Sequence, residues 1–181
     1  MSDLKKYFLE CSLYSTKHST YFEVYEKLFT KFRNKKVTLV EVGVLNGGSL
    51  ELWQKYLGND AKIIGIDFNP SAKKFNKDNI DIFIGDQSSK KFWENFYDKV
   101  GNIDILIDDG GHENFMQAQT VVSSLDHINE DGVIIIEDTH SSYLKEFGNP
   151  SKYSFINYCY FIVENINMRF FKKNNEDKNL I

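Results

Sequence analysis

From Val37 onward, short runs of β-branched residues alternate with longer stretches of helical period, and this alternation leaves few architectures open. Five runs read as strands: VTLVEVG (37–43), KIIGID (62–67), IDIFIGD (80–86), IDILIDD (103–109) and GVIIIED (132–138). They are apolar nearly throughout rather than at every second position, so both faces of the sheet must be covered by helices. Repeated βα units of this kind predict an α/β fold built on a doubly wound parallel sheet.

Between the strands, Leu50, Trp53 and Leu57 recur at helical spacing before Gly58. Phe92, Phe96 and Val100 do so before Gly101, and Phe115, Ala118, Val122 and Leu125 before Asp131–Gly132. Tyr21, Tyr25, Leu28, Phe29 and Phe32 place a helix over 19–33, and residues 3–14 read as another. After Tyr143 a Pro-led start, NPSKYSF, opens a long helix marked by Phe155, Ile156, Cys159, Ile162, Val163, Ile166 and Phe170. The charged, Asn-rich tail KKNNEDKNLI reads as frayed. No repeat or linker divides the chain, which is expected to be one domain: an N-terminal helical segment (1–34), a core (37–143) and a C-terminal helix (150–171).

The 181 residues, 41% hydrophobic and 15% aromatic, suffice for a real core and exclude disorder and fibre. The 22 basic and 26 acidic residues are interspersed, so no polybasic footprint invites nucleic acid, and a small molecule is the expected partner. Cys11 and Cys159 stand outside any disulfide framework or zinc-site spacing. With no apolar stretch long enough to span a bilayer and no signal-like N-terminus, no membrane association and a reducing cytoplasm are expected.

In open parallel sheets ligands sit beyond the carboxyl ends of the strands, so the residues ending these five runs should converge. The first ends in Glu41-Val42-Gly43-Val44-Leu45-Asn46-Gly47-Gly48-Ser49, a glycine-rich turn where missing β-carbons let a ligand approach the backbone. It is not the G-x-G-x-x-G of a dinucleotide fold, nor does it carry a Walker lysine. Asp67 closes the second strand near the ~20-residue spacing at which an acid reaches ribose hydroxyls. Asp86 closes the third, with Gln87 beside it, where an adenine amino group and ring are the expected contacts. A strand-end aspartate is also a common helix N-cap, and Asp86 before Gln87-Ser88-Ser89 suits that role equally.

E-x-G-x-x-x-G, then Asp67, then Asp86 on successive strands resemble the class I S-adenosylmethionine-dependent methyltransferases across residues 37–143. The resemblance implies a Rossmann-like sheet in which Glu41 and Gly43 through Ser49 (with Asn46, Gly47 and Gly48) line the methionine part of the cofactor. It implies that Asp67 holds the ribose and that Asp86 with Gln87 addresses the adenine.

The remaining strand ends, Asp108-Asp109-Gly110-Gly111-His112 and Glu137-Asp138, gather carboxylates and an imidazole. Such a cluster cannot fully ionise without a cation, and hard oxygen ligands without cysteine point to magnesium, with manganese also suitable. Asp109, Glu137 and Asp138 are the predicted ligands. D-D-G-x-H followed by E-D-x-x-x-S-Y, with W-x-x-Y after the glycine turn, resembles the metal-dependent sugar O-methyltransferases of the macrolide and tetracenomycin type. Ser15-Thr16-Lys17-His18 and Tyr21 resemble that family's T-D-K and H-x-Y element, which lies over the cofactor, although here no acid separates Thr16 from Lys17.

The resemblance implies transfer of a methyl group to a sugar hydroxyl, on a free or nucleotide-activated sugar. His112 would be the base, Asp109 would act with it, and Asp108 and Tyr21 would lie on the cofactor side. Such folds usually add an antiparallel hairpin after the fifth strand, and its absence here leaves Val133–Ile136 at or near an open edge. Either the chain is a fragment, the C-terminal helix covers that edge, or another subunit does, which admits a homo-oligomer. A non-catalytic cofactor-binding module and a metal-dependent hydrolase are the competing functions.

Overall fold

The computed structural model describes residues 2–147 and 152–172, with side chains to Met168. It contains a five-stranded, wholly parallel sheet in the order β3-β2-β1-β4-β5, formed by β1 (Thr38–Val42), β2 (Lys62–Asp67), β3 (Ile80–Ile84), β4 (Ile103–Asp108) and β5 (Ile128–Ile136). The helices are α1 (Asp3–Leu9), α2 (Tyr21–Phe29), α3 (Gly48–Leu57), α4 (Lys90–Val100), α5 (Asn114–Ser124) and α6 (Phe155–Lys172). This is the doubly wound α/β arrangement expected from the sequence.

Successive strand residues point to opposite faces, and the core accordingly divides in two. Leu39, Ile63, Ile105 and Ile107 face one layer with Phe22, Tyr25 and Phe29 of α2 and Trp53 and Leu57 of α3. Val40, Val42, Ile64, Ile66 and Leu106 face the other, with Trp93, Phe96 and Tyr97 of α4. Trp53 and Trp93, both about 1% exposed or less, plug the two layers.

Three expectations are corrected. The helix expected over 3–14 stops at Leu9, because the next residues are claimed by another element: the Glu51 carboxylate accepts from the Ser12 and Leu13 N–H groups at 3.0–3.1 Å. The helix expected over 19–33 ends at Phe29 and tightens into a 3-10 turn, Thr30–Phe32. Asp131–Gly132 is not a turn ahead of the last strand. It lies inside β5, where the register with β4 shifts and Asp131 takes φ +63°.

The β4 pairing is the only ladder of β5 among the described residues, so the Val133–Ile136 run does lie at a sheet edge. Helix α6 packs chiefly against α5 and the 3-10 turn Thr139–Tyr143. The Pro-led start at Asn149-Pro150-Ser151 and the tail from Lys173 lie outside the described residues. No described helix is long and apolar enough to cross a membrane.

Candidate functional site

From β1 the chain winds outward to β3 on one side and, after returning, through β4 to β5 on the other. The reversal leaves a crevice over the carboxyl ends of β1 and β4. A cleft of about 760 Å³ opens there, lined by Gly43, Val44, Asp67, Asp86, Gln87 and Gly110 among others. Gly43, at φ +92°, is required by its neighbour: a β-carbon would stand 2.1 Å from the Asp109 carbonyl oxygen.

Asp67 fastens the turn as well as facing the cleft, accepting from the Val44 N–H at 2.9 Å and the Asn69 N–H at 2.7 Å. Asp86 faces the cleft but does not cap α4, because Ser89 takes that place, its hydroxyl accepting from the Phe92 N–H at 3.2 Å. The Asp86 Oδ1 accepts instead from the Ser88 N–H and hydroxyl at 2.8 and 2.7 Å. Gln87 is buried between strands: its Oε1 accepts from the Gly111 N–H at 2.8 Å and its Nε2 donates to Asp108 at 3.1 Å. Ser49 reaches the cleft wall while its hydroxyl donates to Glu41 at 2.5 Å.

Other expected cofactor contacts stand behind that wall rather than on it. Glu41 is fully buried and saturated by Ser49, Trp53 Nε1 at 3.1 Å and Lys17 Nζ at 3.3 Å. Asp108 is fully buried under Gln87 and the Gly110 N–H, and desolvation raises the carboxyl pKa of both Asp108 and Glu41. Gly47 lies under the Phe75 ring and Asn46 is exposed beside the turn. Gly48 underlies the backbone at Leu13 and Tyr14, whose carbonyl oxygens would stand 2.6 Å from a β-carbon there. Tyr21 belongs to the neighbouring acid cluster. Thr16, Phe68 and Met116 complete the cleft, and only Thr16 carried a signal in the sequence.

The acid cluster adjoins the cleft: Asp109 and Asp138 line both it and a second cleft of about 360 Å³ that contains Lys17, Tyr21 and Glu137. At its centre is Lys17, whose side chain is 1% exposed. Its ammonium donates to Asp109 Oδ2 at 2.5 Å, Glu137 Oε1 at 2.7 Å and Glu41 Oε1 at 3.3 Å. Burial alone lowers the pKa of such an amine, but these three carboxylates outweigh it and hold the charge on. Glu137 also accepts from the buried Tyr25 hydroxyl, and Tyr21 donates to Asp138 Oδ1 at 2.9 Å. Desolvation pushes Glu137 up to about 7, against the pull of Lys17.

His112 closes the cluster on the cleft side, with Nε2 3.7 Å from Asp138 Oδ2 and 4.0 Å from Asp109 Oδ1, beyond hydrogen-bonding reach. Its Nδ1 is buried without a hydrogen-bond partner among the described residues. Ligand atoms from Asp109, His112 and Asp138 lie within 4.8 Å of one another. This grouping shares two members with the expected ligand set, adds His112, and leaves Glu137 turned toward Lys17. The oxygen-rich donors suit a hard divalent cation, and one ammonium among Glu41, Asp109, Glu137 and Asp138 leaves negative charge for it to balance. His112 and Asp138 both hold the left-handed backbone, at φ +57° and +50°, unusual for residues with side chains.

No protein-family model matches the sequence. Curated relatives do. A 2'-O-methyltransferase of rhamnosyl tetracenomycin C from Streptomyces olivaceus is 30% identical over 135 residues, covering 71% of this chain and 35% of that protein. Mycinamicin VI 2''-O-methyltransferase from Micromonospora griseorubida is 30% identical over 136 residues, covering 70% and 33%. The chain thus spans about a third of the length of the curated relatives it matches. Among solved structures, the MycE methyltransferase of the mycinamycin pathway, in complex with Mg and SAH, superposes with a TM-score of 0.81 at 23% identity, over 99% of this chain and 48% of that one. A further MycE complex with Mg, SAH and mycinamycin VI gives 0.80 at 24% identity, over 92% and 48%. In sequence over more than two thirds of its length, and in its Rossmann-like fold over nearly all of it, the chain closely matches the class I methyltransferases of the macrolide and tetracenomycin O-methylating type.

Proposed function

We propose that the chain forms the cofactor- and metal-binding part of an S-adenosylmethionine-dependent O-methyltransferase that acts on a sugar hydroxyl with help from a divalent cation, magnesium or manganese. One observation carries this reading: the cleft and the acid cluster share a wall, so a donor in one and an acceptor at the other meet at Asp109, Asp138 and His112. The cleft's size and its glycine floor at Gly43 fit a nucleoside carrying an amino-acid tail. Asp67 is the ribose acceptor, with Asp86 and Gln87 toward the adenine. When bound, S-adenosylmethionine supplies an electrophilic methyl group for in-line displacement. Asp109 and Asp138, with Glu137 through the Oε2 that Lys17 and Tyr25 leave free, would hold the cation, whose contribution is to lower the pKa of a chelated hydroxyl.

The protein's own tasks are alignment and proton removal. The Asp109 and Asp138 carboxylates fix the acceptor end of the shared wall, and His112 Nε2, unpaired at 3.7 and 4.0 Å from them, receives the proton that the attacking hydroxyl loses. The relative that methylates a rhamnosyl tetracenomycin C supports a glycosidic sugar acceptor, and a nucleotide-activated sugar satisfies the same chemistry. The free thiols Cys11 and Cys159 favour a reducing cytoplasm. The exposed Phe161, Val163 and Ile166 of α6 favour a homo-oligomer.

Calorimetric titration with S-adenosylmethionine, and separately with Mn2+, tests the assignment. Asp67→Ala is expected to lose cofactor binding alone and Asp109→Ala cation binding alone; absence of cofactor binding by the folded chain would sink it. In a methyl-transfer assay, His112→Gln should lower kcat by ~100- to 10,000-fold while both ligands still bind. Loss of Mn2+ binding in that variant would make His112 a ligand instead of the base.

A further inference from the structure

Three of the four acids of the cluster, Asp109, Glu137 and Asp138, are held through one oxygen each. Lys17 occupies Asp109 Oδ2; Lys17 and the Tyr25 hydroxyl both fall on Glu137 Oε1; Tyr21 occupies Asp138 Oδ1. The opposite oxygens of the two aspartates, Asp109 Oδ1 and Asp138 Oδ2, are the ones nearest His112 Nε2 at the cleft. All three donors come from residues 17–25, a segment outside the sheet, while their partners directly follow β4 and β5.

We propose that Lys17, Tyr21 and Tyr25 are positioning residues: they pin the inner oxygen of each carboxylate so that the outer oxygens converge on a divalent cation. This rests on the metal-assisted reading above. A carboxylate bonded through one oxygen has lost most of its rotational freedom before the cation arrives, so affinity is gained by preorganisation, as with other outer-shell partners of metal ligands. The ammonium also makes the cluster tolerable when empty, since buried carboxylates this close would otherwise repel. The loop that carries Lys17 is fixed at two points independent of the cluster, by Glu51 on Ser12 and Leu13 and by the close passage of residues 13 and 14 over Gly48.

The test is Mn2+ binding, followed by electron paramagnetic resonance in the absence of cofactor, alongside calorimetry with S-adenosylhomocysteine. Tyr21→Phe removes one hydroxyl and no charge, so it is expected to weaken Mn2+ about tenfold, the lower end for an outer-shell partner, with S-adenosylhomocysteine affinity unchanged within about twofold. Lys17→Arg keeps the charge but cannot place a single ammonium between Asp109 and Glu137, and should cost at least as much. If Lys17→Arg does not fold, Tyr21→Phe decides alone. Wild-type Mn2+ affinity in Tyr21→Phe overturns the proposal while leaving the metal reading intact. Failure of the wild-type chain to bind Mn2+ overturns the metal reading and the proposal together.

Discussion

Glu51 shows how much one side chain on an otherwise ordinary helix can settle. Partial burial tends to raise its carboxyl, but the Ser12 and Leu13 N–H groups, Lys55 and the Ser12 hydroxyl outweigh this and hold it at about 2, below the usual 4.5. The stabilisation it gives the 10–20 loop is therefore complete above about pH 4.5 and is lost as pH falls through about 2. Glu51→Gln should flatten the acid limb of a thermal-melting profile and, at neutral pH, cost ~1.5–3 kcal/mol, the usual worth of hydrogen bonds to a charged group. A melting curve parallel to wild type between pH 2 and 5 would contradict this. Residue roles were unevenly legible in the sequence. Asp67, Asp86 and Asp109 announce themselves by ending apolar runs, and His112 by following the last of these in D-D-G-G-H. Lys17 is marked only through the T-D-K resemblance, as lying over the cofactor; its place in the acid cluster is not legible, because the carboxylates it joins lie 24, 92 and 120 residues away and nothing local reports them.

At the scale of elements, the strands were legible because a two-faced parallel sheet demands continuous apolar runs, and those runs have no other use. The misreadings share a cause: tertiary contacts overrode local pattern. The segment after Leu9 has enough helical character to continue but is captured by Glu51, and Asp131–Gly132 has turn chemistry but is absorbed as an irregularity within β5. The glycine turn shows the same dependence, since its glycines are kept small by neighbouring parts of the chain itself. Gly43 clears the way for Asp109, whereas Gly48 clears the way for the loop above it. Gly48→Ala should therefore act at a distance. It is expected to cost ~1–3 kcal/mol in unfolding by denaturant, as overpacking does, and to weaken Mn2+ binding by displacing Lys17. An Ala variant with wild-type stability would show that the loop can lift without penalty.

For the molecule as a whole, the fold was more legible than the site. That the strand ends converge on one crevice follows from the general behaviour of doubly wound parallel sheets, so residues around it could be named before the strand order was known. Which strand-end residues face into the crevice and which lie behind it could not, because Glu41 and Asp108 differ from Asp67 and Asp109 only in the direction their side chains take at the ends of strands.

The wiring of the acid cluster also bears on how the chain folds. Lys17 precedes its partners Asp109 and Glu137 by 92 and 120 residues, and contacts of such long sequence separation form late. The sheet can assemble around its apolar strands while the ammonium is still in water, and the cluster closes last. A cation bound there stabilises contacts absent from the folding transition state, so Mn2+ should slow unfolding without accelerating refolding. In stopped-flow chevrons this appears as a lowered unfolding limb with an unchanged refolding limb, and a shift of the refolding limb would instead place the cluster in the nucleus. The metal site would then set the lifetime of the native state rather than the speed at which it is reached.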